Sequence, residues 1–283
     1  MDRFSSSPAS SSVHHPTPFG NPHAIDPHWL ARIDAELSAI ELREQVRILY
    51  AVESGSRAWG FPSQDSDYDV RFLYVRPRDW YLSIRVESQR DVIECPLDDL
   101  LDCNGWDLRK ALQLFAKANP SLTEWLQSPI VYRDCEGLAD RLRGLQSEFF
   151  SPVAALAHYL SMARGNFRTF LQGPTVKLKK YFYVLRPVLA ARWLEQGRGI
   201  VPMPFAELLT VLPDDAPLRA DIESLLAKKL ASEELDSGPR IDSIHEFLTR
   251  ELERLSPNSV SHHGPQGSME TLDALFRDYL KNR

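Results

Sequence analysis

The hydrophobic pattern of the chain changes near residue 135, and this change restricts the folds that it can adopt. Before that point, short segments rich in β-branched and aromatic residues alternate with turn residues, as in "VRILYAVES" at 46–54 and "YDVRFLYV" at 68–75. After it, apolar residues recur every three or four positions in segments separated by Pro and Gly, which is typical of amphipathic helices. The sequence therefore predicts an α+β fold with a mixed first half and an all-helical second half.

The chain divides into three predicted parts. Residues 1–25 are rich in Ser, Pro and His, and such a segment buries too little apolar surface to offset its ordering entropy, so we expect a disordered leader. Asp26 followed by Pro27 is typical of a helix start and opens the second part, residues 26–134. Residues 135–283 form the third part, which is the helical domain.

Charge, hydropathy and cysteine content exclude several classes of protein. The net charge of -6 indicates that the surface as a whole does not bind polyanions, although a local basic patch still can. No apolar run approaches the roughly 18 residues that a membrane span needs, so we expect no membrane association. Three cysteines without CxxC spacing favour a reduced, cytoplasmic compartment over a disulfide framework or a structural zinc site.

Three aspartates precede the apolar core of the second predicted strand: Asp65, Asp67 and Asp69. The simplest interpretation is a turn, because Asp and Ser side chains bind nearby backbone amides, and for Asp65 we favour it. A calcium loop is the second interpretation, but it needs Gly at its sixth position and Glu at its twelfth. Val70 and Arg76 occupy those positions, so a calcium loop is excluded.

Strand geometry supplies a third interpretation, in which Asp67 and Asp69 project together from the face opposite Tyr68 and Val70. Two neighbouring carboxylates repel each other unless a cation neutralises them, and such oxygen ligands suit Mg²⁺ or Mn²⁺. A two-metal site for phosphoryl transfer also needs a third carboxylate, for which Asp102 in "LLDCNGWDL" is the first candidate. Weaker candidates are Asp91, Glu94 and Asp107.

The dipeptide Gly55-Ser56 lies where the first predicted strand ends. We expect Gly55 to adopt backbone angles that a Cβ would forbid. Backbone amides at this position, together with the Ser56 hydroxyl, can hold phosphate oxygens. A Gly-Ser pair at the end of one strand, followed about ten residues later by Asp-x-Asp at the start of the next, is a much more specific signal than either motif alone.

The segment "SGSRAWGFPSQDSDYDVRFLYV" resembles the signature of the DNA polymerase β nucleotidyltransferase superfamily. The resemblance extends to one narrower family, the predicted nucleotidyltransferases associated with RNA repair. Two further segments carry it: "IECPLDDLLDCNGWDLRKALQLFAKANPSLTEWLQSPIVY" and "KKYFYVLRPVLAARWL". The resemblance as a whole covers roughly residues 45–210.

The resemblance implies a polymerase-β-like catalytic domain, with a small mixed sheet flanked by helices, that transfers a nucleoside monophosphate from a nucleoside triphosphate. It implies that Gly55 and Ser56 hold the triphosphate, and that Asp67 and Asp69 bind two divalent ions, Mg²⁺ or Mn²⁺. It implies that Asp102 completes the site beside the acceptor hydroxyl. The acceptor that the family suggests is an RNA end.

A triphosphate also needs cationic partners. Arg57 follows the Gly-Ser turn directly and is our candidate for a phosphate contact, with a surface arginine as the alternative. Lys177 and Lys180 in "KLKKYFYVLR" are candidates from the helical half, and Arg186 can join them at the cleft. The aromatic residues between them are more typical of a core than of a base-stacking surface.

A non-catalytic protein on the same fold is the alternative to an enzyme. It would be a nucleotide sensor or an antitoxin-like module. The intact Asp-x-Asp pair argues against it, because a protein without a metal has no need of paired carboxylates that repel each other. Nucleic-acid binding alone is a third possibility, and the acidic net charge disfavours it.

Overall fold

The computed structural model describes residues 24–213, 217–231, 237–261 and 264–281. Nearly all of the predicted disordered leader therefore lies outside the described residues. Within those ranges the chain forms eleven α-helices and seven β-strands. The helices are α1 (Pro27–Glu44), α2 (Arg78–Tyr81), α3 (Leu108–Ala116), α4 (Pro120–Leu126), α5 (Leu138–Phe149), α6 (Pro152–Phe170), α7 (Lys180–Glu195), α8 (Phe205–Leu209), α9 (Pro217–Leu230), α10 (Asp242–Arg254) and α11 (Met269–Lys281). The strands are β1 (Arg47–Glu53), β2 (Tyr68–Val75), β3 (Val92–Glu94), β4 (Leu101–Asp107), β5 (Val131–Asp134), β6 (Thr175–Lys177) and β7 (Ser237–Pro239).

Five strands form one mixed sheet in the order β3-β4-β2-β1-β5. The β2–β4 pair is parallel, whereas β1 pairs antiparallel with β2 and β5, and β3 pairs antiparallel with β4. Because parallel strands begin at the same edge of a sheet, the first residues of β2 and β4 are neighbours. The register places Asp69 directly beside Asp102.

Helices cover both faces of this sheet. On one face, Ile33, Leu37 and Ile40 of α1 pack against alternate residues of β2 such as Val70 and Phe72. On the other face, α3, α4, α5 and α11 share a core with β1 and the end of β2. The predicted boundary at residue 134 remains a prediction, but packing assigns α5 and α11 to the core beside the sheet.

The remaining helices of the second half, α6 to α10, enclose a separate hydrophobic core. The prediction of an all-helical second half is wrong, because β6 and β7 pair there as a small antiparallel sheet. Each of these strands has three residues, which is too short for an alternating pattern to be visible in the sequence. The predicted α+β class is confirmed. None of the helices in the described ranges is both long and apolar enough to span a lipid bilayer.

The loop between β1 and β2 packs against the helical half of the molecule. Phe61 of this loop is buried in the core of the helical half, 4.9 Å from the ring of Phe182 and 5.3 Å from that of Phe205. The carbonyl of Trp59 accepts a hydrogen bond from the backbone N–H of Phe205 at 2.9 Å. The helical half therefore holds the loop that carries the Gly-Ser turn.

Candidate active site

The strand β2 places its side chains as alternation predicts. Val70 and Phe72 are buried beneath α1, whereas Asp69 and Arg71 project from the opposite face. Asp67 lies just before the strand and is exposed. Asp67 and Asp69 line a single cavity of about 480 Å³, which the Gly-Ser turn also lines. The prediction that these residues lie together is therefore consistent with the geometry.

Asp102 in β4 lies beside Asp69, but an arginine separates the two carboxylates. One terminal nitrogen of Arg71, Nη2, lies 3.1 Å from Asp69 Oδ1 and 2.8 Å from Asp102 Oδ2. Asp102 is not among the residues that line the cavity. The predicted role of Asp102 thus remains a prediction. Among the weaker candidates, Asp107 instead caps α3 by accepting a hydrogen bond from the backbone N–H of Arg109 at 2.8 Å.

Gly55 is required for a reason that differs from the predicted one. Its φ does not lie in the left-handed region, so unusual backbone angles do not explain it. Instead, a Cβ at this position would lie 1.7 Å from Asp69 Oδ2 and 2.6 Å from Asp69 Cγ. The backbone of the turn therefore lies directly against the Asp69 carboxylate, and only a residue without a side chain permits this distance.

The turn is bound to β2 and closed by its own backbone. The backbone N–H of Ser54 donates to the carbonyl of Asp69 at 2.9 Å. The carbonyls of Gly55 and Ser56 accept from the backbone N–H groups of Trp59 and Phe61, at 3.0 and 3.1 Å. Ser56 lines the cavity within this turn. The predicted binding of phosphate by Ser56 remains a prediction.

Glu53 is a site residue that the sequence reasoning missed. It is fully buried at the end of β1. Its Oε1 accepts from the backbone N–H groups of Asp69 at 2.8 Å and of Gly55 at 3.4 Å, and Oε2 accepts from the Tyr132 hydroxyl at 2.5 Å. Burial raises the pKa of Glu53, and these hydrogen bonds oppose the rise. The available signal was an acidic residue that directly follows the apolar run "ILYAV" of β1.

Arg57 is the predicted phosphate contact, but it is not among the residues that line the cavity. Its guanidinium donates to the carbonyls of Ser66 at 2.7 Å and Asp67 at 3.2 Å, and lies 3.7 Å from the centre of the Tyr68 ring. The side chain is largely buried. Arg57 therefore holds the backbone just before β2, and its placement gives no support to a phosphate contact.

The residues around Asp65 form a turn, as the simplest interpretation expects. Ser66 is buried, and its hydroxyl accepts from the backbone N–H of Ser63 at 2.9 Å. A hydrogen bond with Ser63 lowers the pKa of Asp65. Asp65 thus differs from Asp69, whose carboxylate lies against the Gly-Ser turn.

Three lysines from the helical half line the same cavity: Lys179, Lys180 and Lys229. Lys180 was predicted, and its ammonium lies over the rings of Tyr183 at 4.2 Å and Phe170 at 4.7 Å. Burial lowers the pKa of Lys180, and the charges of two neighbouring lysines lower it further. Lys229 in α9 was missed, because no local pattern distinguishes it from the lysine beside it.

Two other predicted cations lie elsewhere. Lys177 is exposed in β6 and is not among the lining residues, so the structure replaces it with Lys179. Arg186 is buried between the two halves, where its Nη1 lies 2.8 Å from Glu124 Oε1 and its guanidinium 5.0 Å from the Trp59 ring centre. Arg186 therefore stabilises the contact between the halves. Contrary to the prediction, it is not among the residues that line the cavity.

The carboxylates suit a hard divalent cation, within a limit set by Arg71. Burial raises the pKa of Asp69, the charge of Arg71 opposes this, and two neighbouring carboxylates add to it. A cation at Asp67 and Asp69 would relieve this repulsion, and oxygen ligands are those that Mg²⁺ and Mn²⁺ prefer. In the described part of the chain, no group of three or more His, Cys, Asp or Glu is placed to hold a metal ion. The Asp67–Asp69 pair suits a cation as the site stands, whereas Asp102 is already paired with Arg71.

Similarity to known proteins extends over most of the chain. A family model described as "RNA repair pathway DNA polymerase beta family" matches residues 30–278. The chain is 55% identical over 224 residues to "Uncharacterized protein YcgL" of Bacillus subtilis (strain 168). The aligned residues make up 79% of this chain and 85% of that protein. A solved nucleotidyltransferase-like protein from Exiguobacterium sibiricum 255-15 is similar with a TM-score of 0.29 and 17% identity, over 80% of this chain and 74% of the other.

The family match begins within α1 and ends within α11. It thus includes the mixed sheet with its aspartates, the Gly-Ser turn and the helices that supply the lysines. The resemblance predicted from the sequence motifs is confirmed. With most of its length matched, the chain belongs to the RNA repair pathway DNA polymerase beta family.

Proposed function

We propose that this protein is a metal-dependent nucleotidyltransferase that transfers a nucleoside monophosphate from a nucleoside triphosphate to a hydroxyl group. The acceptor that we propose is an RNA end, in keeping with the description of the family. One observation carries the proposal. Three aspartates from the sheet half, Asp67 and Asp69 among them, and three lysines from the helical half line one cavity, together with a Gly-Ser turn.

The cavity suits a triphosphate in size and in charge. Its volume of about 480 Å³ is typical of sites for small molecules. Lysine ammonium groups bind phosphate oxygens through charge-assisted hydrogen bonds. Carboxylates alone would repel a triphosphate, so a site that binds one beside Asp67 and Asp69 requires cations between them.

Each residue has its own part in the proposed reaction. The Ser56 hydroxyl and the amides of its turn bind phosphate oxygens. Asp67 and Asp69 would hold Mg²⁺ or Mn²⁺ ions, which when bound stabilise charge on the attacking and leaving oxygens. The acceptor oxygen bonds to the α-phosphorus as the bond from that phosphorus to the leaving pyrophosphate breaks. Asp102 is the proposed acceptor of the hydroxyl proton.

The direct test is a transfer assay with purified full-length protein. Each labelled nucleoside triphosphate is incubated with a pool of RNA and either Mg²⁺ or Mn²⁺. We expect label from the α-phosphate to appear in the RNA, label from the γ-phosphate to appear in pyrophosphate, and a chelator to stop both. Metal-dependent nucleotide binding without transfer to any acceptor would instead support the non-catalytic module.

The lysines that line the cavity supply a prediction about nucleotide affinity. In Lys179→Met and Lys229→Met, we expect KM for the nucleoside triphosphate to rise by about tenfold or more. A charge-assisted hydrogen bond to phosphate is lost in each case. Steady-state kinetics at saturating metal measures this change, and kcat is expected to fall less than KM rises.

Lys228→Met is the matched control for this prediction. Lys228 is adjacent to Lys229 in α9, carries the same charge, and is exposed outside the cavity. Its KM is expected to remain at the value of the unmodified protein. Equal increases in KM for Lys228→Met and Lys229→Met would show that only net charge matters and would contradict a specific phosphate contact.

A further inference from the structure

Arg71 has contacts that the proposed reaction does not use. Its Nη2 is shared between Asp69 Oδ1 and Asp102 Oδ2, at 3.1 and 2.8 Å. Its Nη1 donates to the carbonyls of Val70 at 3.1 Å and Asp102 at 3.0 Å. The Arg71 side chain is about four-fifths buried, and its Nη2 bridges the two carboxylates.

The position of the arginine follows from the strand. Arg71 is two residues after Asp69, so both side chains project from the same face of β2. The parallel register then places Asp69 beside Asp102 and Arg71 beside Asn104. From there the arginine side chain reaches back to the space between the two carboxylates. A single positive charge therefore neutralises two carboxylates that would otherwise repel each other.

We propose that Arg71 is an internal counter-ion, and that a divalent cation shared by Asp69 and Asp102 binds only by displacing its guanidinium. This inference rests on the proposed function, because that function assigns divalent cations to these aspartates. Arg71 is a positioning residue in this scheme. It holds the ligands in place before the metal binds, and it keeps Asp102 unavailable as a proton acceptor until it withdraws.

The two cation positions consequently differ in what they require. A cation held by Asp67 and Asp69 at the cavity leaves the Arg71 contacts with Asp102 intact. A cation between Asp69 and Asp102 must replace the bonds that Nη2 makes to both carboxylates. The first position should therefore fill at a lower metal concentration than the second.

Binding of Mn²⁺ in the absence of nucleotide tests the proposal without measuring activity. Free Mn²⁺ is followed by electron paramagnetic resonance during titration of full-length protein. We expect Arg71→Gln to bind the second, more weakly held Mn²⁺ ion about tenfold to a hundredfold more tightly than the unmodified protein does. This is the range for loss of a competing charge-assisted hydrogen bond. Without metal, we expect Arg71→Gln to have a lower melting temperature than the unmodified protein. Addition of Mn²⁺ should raise the melting temperature of Arg71→Gln by more than that of the unmodified protein.

Arg133→Gln is the matched control. Arg133 likewise contacts two carboxylates, Asp34 at 2.6 Å and Glu41 at 3.0 Å, and is buried to a similar extent. Its removal is expected to lower the melting temperature without changing the affinity for Mn²⁺. If Arg71→Gln binds Mn²⁺ no more tightly than the unmodified protein, or more weakly, Arg71 supports the metal ligands rather than competing with the metal, and the proposal is wrong.

A measurement on the unmodified protein covers the case in which Arg71→Gln does not fold. The guanidinium Nε–H signal of Arg71 is followed by nuclear magnetic resonance as diamagnetic Mg²⁺ is added. We expect this signal to shift and to exchange faster with water once Mg²⁺ saturates the site. An unchanged signal at saturation overturns the displacement.

The outcomes separate this inference from the proposed function. Absence of Mn²⁺ binding to both the unmodified protein and Arg71→Gln would overturn both. Binding that is lost in Asp67→Asn but is unaffected by Arg71→Gln would retain the metal site and overturn only the displacement of Arg71.

Discussion

An Asp69→Asn variant is expected to lose nucleotidyl transfer by about a thousandfold or more, while its fold is retained. Asparagine has nearly the same shape, but it removes the charge that would hold a divalent cation, and loss of such electrostatic stabilisation costs roughly this much in rate. Burial raises the pKa of Asp69, so removal of the charge also removes a destabilising contribution. The measurements are the transfer rate at saturating nucleotide and the melting temperature.

Asp65→Asn is the matched control for this prediction. Asp65 lines the same cavity only two residues before Asp67, yet its side chain belongs to the turn. Its transfer rate is expected to remain within about twofold, which corresponds to the small free-energy change of most surface substitutions. Comparable losses in the two variants would mean that the cavity requires acidity in general, and the assignment of Asp69 as a metal ligand would then fail.

The aspartates show which parts of the site were predictable from the sequence. Alternation along β2 predicts that Asp69 lies opposite Val70, and this depends only on the period of a strand. The partner of Asp69 is less accessible, because it depends on which strand pairs with β2 and in which direction. The parallel pairing with β4 decides this and places Asp102 beside Asp69.

The cationic residues show what could not be predicted. Lys177 and Lys179 are two residues apart, and only the end of β6 and the start of α7 decide which one reaches the cavity. Arg57 has the expected position in the sequence, but the carbonyls before β2 bind its guanidinium instead. Sequence patterns report the face on which a residue lies, whereas these outcomes depend on tertiary contacts.

The helical half contributes more to the site than its sequence pattern suggested. Its core encloses Phe61, and its backbone binds that of Trp59. The loop that carries Gly55 and Ser56 is thus fixed at one end by β1 and at the other by helices of the second half. Because the same half supplies the lysines, the distance between the lysines and the aspartates depends on the packing of the two halves.

A Gly55→Ala variant is expected to lose transfer almost as completely as Asp69→Asn, by about a hundredfold or more. The added Cβ would lie 1.7 Å from Asp69 Oδ2, so either the carboxylate or the turn must move. A displacement of about one ångström is enough to cost this much in rate. Forced overpacking should also lower the free energy of unfolding by about 1–3 kcal/mol, which chemical denaturation measures.

Gly144→Ala is the control for a Gly-to-Ala substitution as such. Gly144 is exposed in α5, and no atom would lie within 4 Å of its added Cβ. Alanine is the better helix former, so this variant should be more stable by about 0.5–1 kcal/mol, with its transfer rate unchanged.

The cause of the Gly55→Ala defect can be isolated by a double-mutant cycle with Asp69→Ala. Truncation of Asp69 removes the atoms Cγ and Oδ2, which the new Cβ would approach most closely. We therefore expect the cost of Gly55→Ala in unfolding free energy to be much smaller in the Asp69→Ala background, because contacting residues do not act additively. If the two costs simply add, the close approach of the turn to the carboxylate is not what requires glycine at position 55. The turn and the aspartate would then be independent parts of the site, and Gly55 would have to be explained by its contact with the bound nucleotide.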